Sequence, residues 1–160
     1  MGSQLNTAQL TAGVRTLTQG LVVSRATATL PQTTSSSIFT ITGGRILLID
    51  IVGEVTTVIQ TQLNNTKLVF NPDGAGTSTD LCAVTDITAD AVGTLYSITG
   101  TPATALQDAL WCITSNKALA RPLILSEGAI ELSCSASNTG SVAWDLLYVP
   151  LDTGAAVAAA

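Results

Sequence analysis

The stretch AIELSCSASNTGSVAWDLLYVPL, residues 129–151, decides the fold class. Its first part alternates, with Ile130, Leu132, Cys134 and Ala136 on one side and Glu131, Ser133 and Ser135 on the other. Successive side chains of an extended chain point to opposite faces, so this pattern predicts a strand with one face in a core and one in water. Ser137, Asn138, Thr139 and Gly140 come next, and because Asn and Gly accept positive φ, the spacing predicts a hairpin joining the flanking strands. The second strand is apolar on both faces: Val142, Trp144, Leu146 and Tyr148 share one, while Ala143, Leu147 and Val149 share the other with Asp145.

RILLIDIV, residues 45–52, has the same character, with Asp50 alone polar in its middle. A strand apolar on both faces needs a second layer, which a neighbouring subunit or an internal helix over residues 104–110 would supply. From Ile38 onward, short runs of Val, Ile, Leu, Thr and aromatics are separated by Gly, Asn, Asp and Pro. Strands are expected at 37–42, 45–52, 56–63, 67–70, 81–84, 94–98, 110–113, 122–125, 129–136 and 142–151, the shortest being marginal. The fold class is all-β, an antiparallel β-sandwich or jelly-roll-like barrel with an extended N-terminal arm. The arm spans residues 1–34, and a β-rich body with an apolar C-terminal tail spans 35–160.

The arm is rich in Thr, Gln and Gly but carries Leu5, Leu10, Val14, Leu17, Leu21, Val22 and Val23. A helix would place several of these on one side, whereas Gly13, Gly20 and the interspersed Thr favour an extended segment laid on a partner. These seven residues are the candidate partner interface.

The whole chain of 160 residues is 46% hydrophobic and only 11% charged, against about 25% in ordinary soluble domains. Such a deficit implies that part of the surface is hidden against other subunits, so a homo-oligomer is expected. Histidine is absent, which removes the usual general base, histidine metal ligands and Ser-His or Cys-His nucleophile pairs. The nearest carboxylate pairs are Asp86 with Asp90 and Glu127 with Glu131. Four places along a strand set such groups roughly 13 Å apart, too far for the paired carboxyls of a glycosidase. No enzyme, cofactor or metal site is therefore expected.

The net charge of −5 and six scattered cations leave no basic stripe for nucleic acid. No basic and apolar leader opens the sequence and no run reaches membrane-spanning length, so synthesis in the cytoplasm without a membrane partner is expected. Cys82, Cys112 and Cys134 lie in apolar runs and read as buried free thiols. Asn64-Asn65-Thr66 reads as the tip of a hairpin, and Gly43, Gly44 and Gly53 as bends or bulges at strand edges. Trp111, Trp144, Tyr96 and Tyr148 read as core fillers rather than a sugar-stacking platform.

Three segments, GRILLIDIVGEVTTVIQTQLNNTKLVFNP (44–72), DLCAVTDITADAVGTLYSITGT (80–101) and SASNTGSVAWDLLYVPLDTGAAV (135–157), resemble a family of small tailed-phage virion structural proteins. The resemblance covers residues 39–157, is one of overall pattern, and leaves the arm unmatched. It implies a capsid cement or decoration protein, a homotrimer on the outer capsid surface bound to the major capsid protein. It carries no active-site residues. A tail or fibre component, or a host-surface carbohydrate-binding module on the same sandwich, is the alternative.

Overall fold

The computed structural model describes residues 20–32, 34–74, 76–113 and 122–160. Twelve strands follow one another: β1 (Leu21–Thr29), β2 (Ser35–Thr42), β3 (Ile46–Thr57), β4 (Asn65–Pro72), β5 (Thr79–Asp80), β6 (Thr85–Asp86), β7 (Thr94–Ser97), β8 (Gln107–Leu110), β9 (Leu123–Leu125), β10 (Gly128–Cys134), β11 (Ser141–Pro150) and β12 (Ala156–Ala159). They form two six-stranded sheets. The first runs β1-β11-β3-β7-β8, with β9 also on β3; the second runs β12-β2-β10-β4-β5, with β6 also on β4. Every strand pair is antiparallel.

The protein is all-β, and of the two expected architectures it is the sandwich: the sheets face each other and stay open rather than closing into a barrel. The inner faces share one core. Leu48, Ile51, Val55, Trp144, Leu146 and Tyr148 come from the first sheet, and Phe39, Ile41, Leu68, Ile130 and Leu132 from the second. Residues 104–110 contain no helix; β8 stands there and pairs with β7.

The expected hairpin at 137–140 is not one. β10 pairs with β2 and β4, and β11 with β1 and β3, so the connection crosses from one sheet to the other. Asn138 is buried at this crossing and its Nδ2 donates to Gln62 O at 3.0 Å, while Leu30 N donates to Gly140 O at 3.1 Å. The physical reason lies in the strands themselves. The doubly apolar β11 takes a central place between β3 and β1, whereas the alternating β10 belongs where its outer face can stay polar.

The strand expected at 56–63 ends at Thr57. Beyond it Ile59 is buried while Val58 and Leu63 are exposed, so a loop that plugs one side chain into the core imitates a strand in composition. Asn64 is likewise no hairpin tip. It is fully buried, its Oδ1 accepting from Ser135 N and Ala136 N, and β4 begins at the next residue. Gly53 is neither bend nor bulge but lies inside β3, where a Cβ would stand 2.8 Å from the Trp144 ring. The indole takes the space that a side chain would fill.

Candidate interaction surface

The two sheets differ on the faces they turn away from the core. On the first, cross-strand pairing sets residues in rows. Val149, Leu47 and Ile124 form one, Val22, Leu147 and Asp50 a second, and Ser24, Asp145, Val52, Ser97 and Gln107 a third. Val22 is 65% and Ile124 62% exposed, and Leu47, Leu147, Val149 and Val52 are half-buried. A hollow of about 170 Å³ lies among Val22, Asp50, Val52, Asp145, Leu146 and Leu147.

The polar groups on this face are used locally. Asp50, although on the outer face, is buried, and its Oδ1 accepts from Ile51 N at 2.9 Å and from Ser97 Oγ at 3.2 Å. Ser24 Oγ donates to Asp145 Oδ1 at 2.5 Å. These bonds satisfy polar atoms within the sheet and leave the apolar rows as the feature a partner would meet. Gly20 brings the chain onto the same face: a Cβ there would stand 2.8 Å from Ile49 Cδ1 and 3.3 Å from Leu147 Cδ1.

Of the seven expected interface residues, Leu5, Leu10, Val14 and Leu17 lie outside the described residues. Leu21, Val22 and Val23 stand in β1, an edge strand on β11 that takes up residues 21–29 of the expected arm. Val23 packs against the core, Leu21 is partly exposed, and Val22 is turned to the outer face. Sequence reading missed Ile124, Leu47 and Val149 as members of the same surface. Their apolarity was visible, but their alignment depends on β9 and β11 flanking β3.

On the second sheet the outer face is polar. Lys67 Nζ pairs with Asp80 Oδ2 at 2.7 Å, Asn71 Nδ2 donates to Glu131 Oε1 at 3.1 Å, and Ser78 Oγ donates to Asn71 Oδ1 at 3.2 Å. Glu131, Val69 and Asp80 sit in one row, and Ser35, Ser133 and Lys67 in another.

The carboxylates singled out in the sequence do not converge on a cleft. Asp86 accepts from Asn64 N and Thr88 Oγ1, and the Thr88 bonds hold it below the usual carboxylate range. Asp90 accepts from Tyr96 OH at 2.6 Å; burial pushes its carboxyl up, against the pull of that bond, and burial also pushes the Tyr96 phenol up. Both groups close loops around the core. Among the described residues no three His, Cys, Asp or Glu side chains gather as a metal site, and no helix is long and apolar enough to cross a membrane.

Three of the four Trp and Tyr side chains are in the core, with Tyr96 and Trp144 stacked at 6.3 Å; Trp111 is instead 68% exposed. Cys82 and Cys134 are buried, burial raising the Cys82 thiol to about 11, but Cys112 is exposed. The apolar run around Cys112 misled because its strand, β8, ends at Leu110 and the chain leaves the sheet before reaching it.

No family model matches the chain. No curated protein matches it. Among solved structures it is similar to a chain of the "Structure of infectious bursal disease virus Gx strain", at 14% identity and a TM-score of 0.24, over 86% of this chain and 33% of that one. This chain thus spans a third of the length of that protein, and a likeness of this size carries no argument about fold or function.

Proposed function

We propose that the protein is a structural subunit that joins a larger assembly through the outer face of the first sheet. The observation that supports this reading is the contrast between the two outer faces: apolar rows led by Val22 and Ile124 on one, ion-paired and hydrogen-bonded rows on the other. Apolar surface left in water is costly at about 25 cal/mol per Å², and large exposed apolar patches mark sites of association. Only 11% charged residues in the chain is consistent with such burial.

Within that reading, the resemblance to small phage virion proteins makes the assembly a capsid. The protein is then a cement or decoration subunit, a homotrimer bound to the major capsid protein on the outside of the shell, with a structural and not an enzymatic role. The first sheet would face the shell or its sister subunits, and the acidic chain would stand away from the packaged genome. A carbohydrate-binding module is the second reading, and exposed Trp111 is the observation in its favour.

The test is addition of the purified protein to shells lacking it, with particle melting followed by light scattering. Wild-type protein is expected to bind and raise the melting temperature, and a Val22→Asp, Ile124→Asp double variant to do neither while keeping a cooperative melt of its own. Equal decoration by that variant would exclude the outer face as the docking surface. Loss of glycan binding in Trp111→Ala, with decoration absent in wild type, would favour the second reading.

A further inference from the structure

The described residues leave the apolar rows of the first sheet uncovered, and three observations point to what lies over them.

The first is where the described chain begins. Traced backward along β1 it reaches Gly20, and it does so on this face: a Cβ there would stand 2.8 Å from Ile49 Cδ1 and 3.3 Å from Leu147 Cδ1. Gly20 has a φ of +78°, a left-handed conformation that lets the chain change direction as it leaves the strand. The segment that precedes it therefore sets out from the apolar rows themselves.

The second is length and composition. The residues before Gly20 read MGSQLNTAQLTAGVRTLTQ, with Leu5, Leu10, Val14 and Leu17 among them, and lie outside the described residues. An extended chain advances about 3.3 Å per residue and neighbouring strands lie about 4.8 Å apart, so about six residues would cross from β1 to β8. A segment tethered at Gly20 meets its own sheet at an effective concentration of order millimolar, ahead of any separate chain.

The third is charge. The strands turn Asp50 and Asp145 to the middle of this face, with Glu54 opposite Ala143 farther along. Two copies of the face laid together would bring these like charges into one apolar layer, which disfavours a second copy as the occupant. Residues 1–19 contain no Asp or Glu and one side-chain cation, Arg15. Asp145 is exposed, and among the described residues its partner is Ser24. It stands two places from Leu147, against which Gly20 sits, so Arg15 reaches it from a segment that turns back at Gly20.

We propose that, in the free subunit, residues 5–17 of the same chain lie across the outer face of the first sheet, with Val14 and Leu17 on Leu47, Leu147 and Val149 and with Arg15 beside Asp145. The hollow of about 170 Å³ between Val22 and Leu147 takes one of the aliphatic side chains. The segment is a built-in cover that keeps the apolar rows out of water and lifts off when the face meets a partner. That last step rests on the reading of this face as a docking surface; the cover itself belongs to the free protein.

The test uses the full-length protein, ¹⁵N-labelled, with Cys112→Ser to remove the exposed thiol and Gln9→Cys to carry a nitroxide. The nitroxide is expected to broaden the amide signals of Leu47, Leu147 and Val149 more strongly than those of Lys67 and Glu131 on the second sheet. In the labelled protein, Val14→Ser with Leu17→Ser should lower the equilibrium for covering about tenfold, and Arg15→Glu about threefold. A mixture of ¹⁵N protein without nitroxide and unlabelled protein carrying it reports contacts between chains, and no such broadening is expected there. Equal broadening of the two sheets, or broadening indifferent to Val14→Ser with Leu17→Ser, would overturn the proposal. So would broadening of the same strength in the mixture, because the segment would then lie on a sister subunit. Decoration of shells is read separately by particle melting, so a failure of the docking reading leaves this readout unchanged.

Discussion

The outer faces of the two sheets are built from strands of similar length and opposite chemistry. In the second sheet, β10 alternates strictly, its outward Glu131 accepting from Asn71 and its outward Ser133 lying in register with Lys67, which pairs with Asp80. In the first, β3 and β11 lie side by side, and the middle of their outward face carries apolar Leu47, Val52, Ala143, Leu147 and Val149 around Asp50 and Asp145. The core therefore accounts for only half of the apolarity of β3 and β11. The remainder is surface chemistry, because a strand needs one buried face to be held in a sandwich, and two only when something covers the second.

The comparison assumes one core shared by both inner faces, and the most severe test removes its largest member. Trp144→Ala is expected to cost about 3 to 5 kcal/mol in urea denaturation. A loss under about 1 kcal/mol would mean that the sheets are held together by something other than this core. The next test exchanges charge between faces. Val22→Asp with Ile124→Asp should weaken self-association in sedimentation experiments by about a hundredfold, or about 2.7 kcal/mol. Thr40→Asp with Ser133→Asp, which adds the same charge to the second sheet, should leave it unchanged. Equal effects from both pairs would reduce the contrast to one of net charge.

Asp50 sharpens the comparison from within the apolar face. Asp50→Ala leaves the Ile51 N–H and the Ser97 hydroxyl without this acceptor and should cost about 1 to 3 kcal/mol in thermal melts. If Asp50→Ala were stabilising, the carboxylate would be a liability tolerated for association. The smallest effect is expected from Asp152, whose carboxylate accepts from Arg45 Nε at 2.9 Å and from Arg45 N at 2.8 Å. Those hydrogen bonds hold it well below the usual carboxylate range, so its contribution is present above about pH 4 and fades as the pH falls further. Asp152→Asn should flatten that acid limb slightly and leave the melt at pH 7 nearly unchanged, because the pair is largely exposed.

The fold class was legible because alternation in β10 and double apolarity in β3 and β11 are local properties of sequence. Sheet membership was not. Ser137-Asn138-Thr139-Gly140 suits a tight turn, and only the burial of Asn138 between Gln62 and Gln32 reveals that it crosses from one sheet to the other. β12, the run Ala156–Ala159, escaped notice because Ala has little strand preference, and its pairing with β2 comes from register rather than composition. The candidate surface was half legible. Val22 was named from its own apolarity, but its neighbour Leu147 comes from a segment more than a hundred residues away, and a row formed across such a distance has no local signature.

The same long-range pairing sets when the molecule can assemble. Ser24 on β1 and Asp145 on β11 are bonded across 121 positions, so the first sheet has no complete edge until nearly the whole chain has left the ribosome. Closing a loop of that length before any contact compensates it makes folding slow, and topologies with such distant pairings fold in milliseconds to seconds rather than microseconds. During that interval β3, the most apolar long strand, can pair with β7 and β9 along one edge but waits with the edge that β11 will take unpaired, and an unpaired strand edge is open to pairing with another chain. The order of synthesis therefore makes β11 the strand that closes the first sheet, and leaves β3 exposed on one edge until the last quarter of the chain arrives.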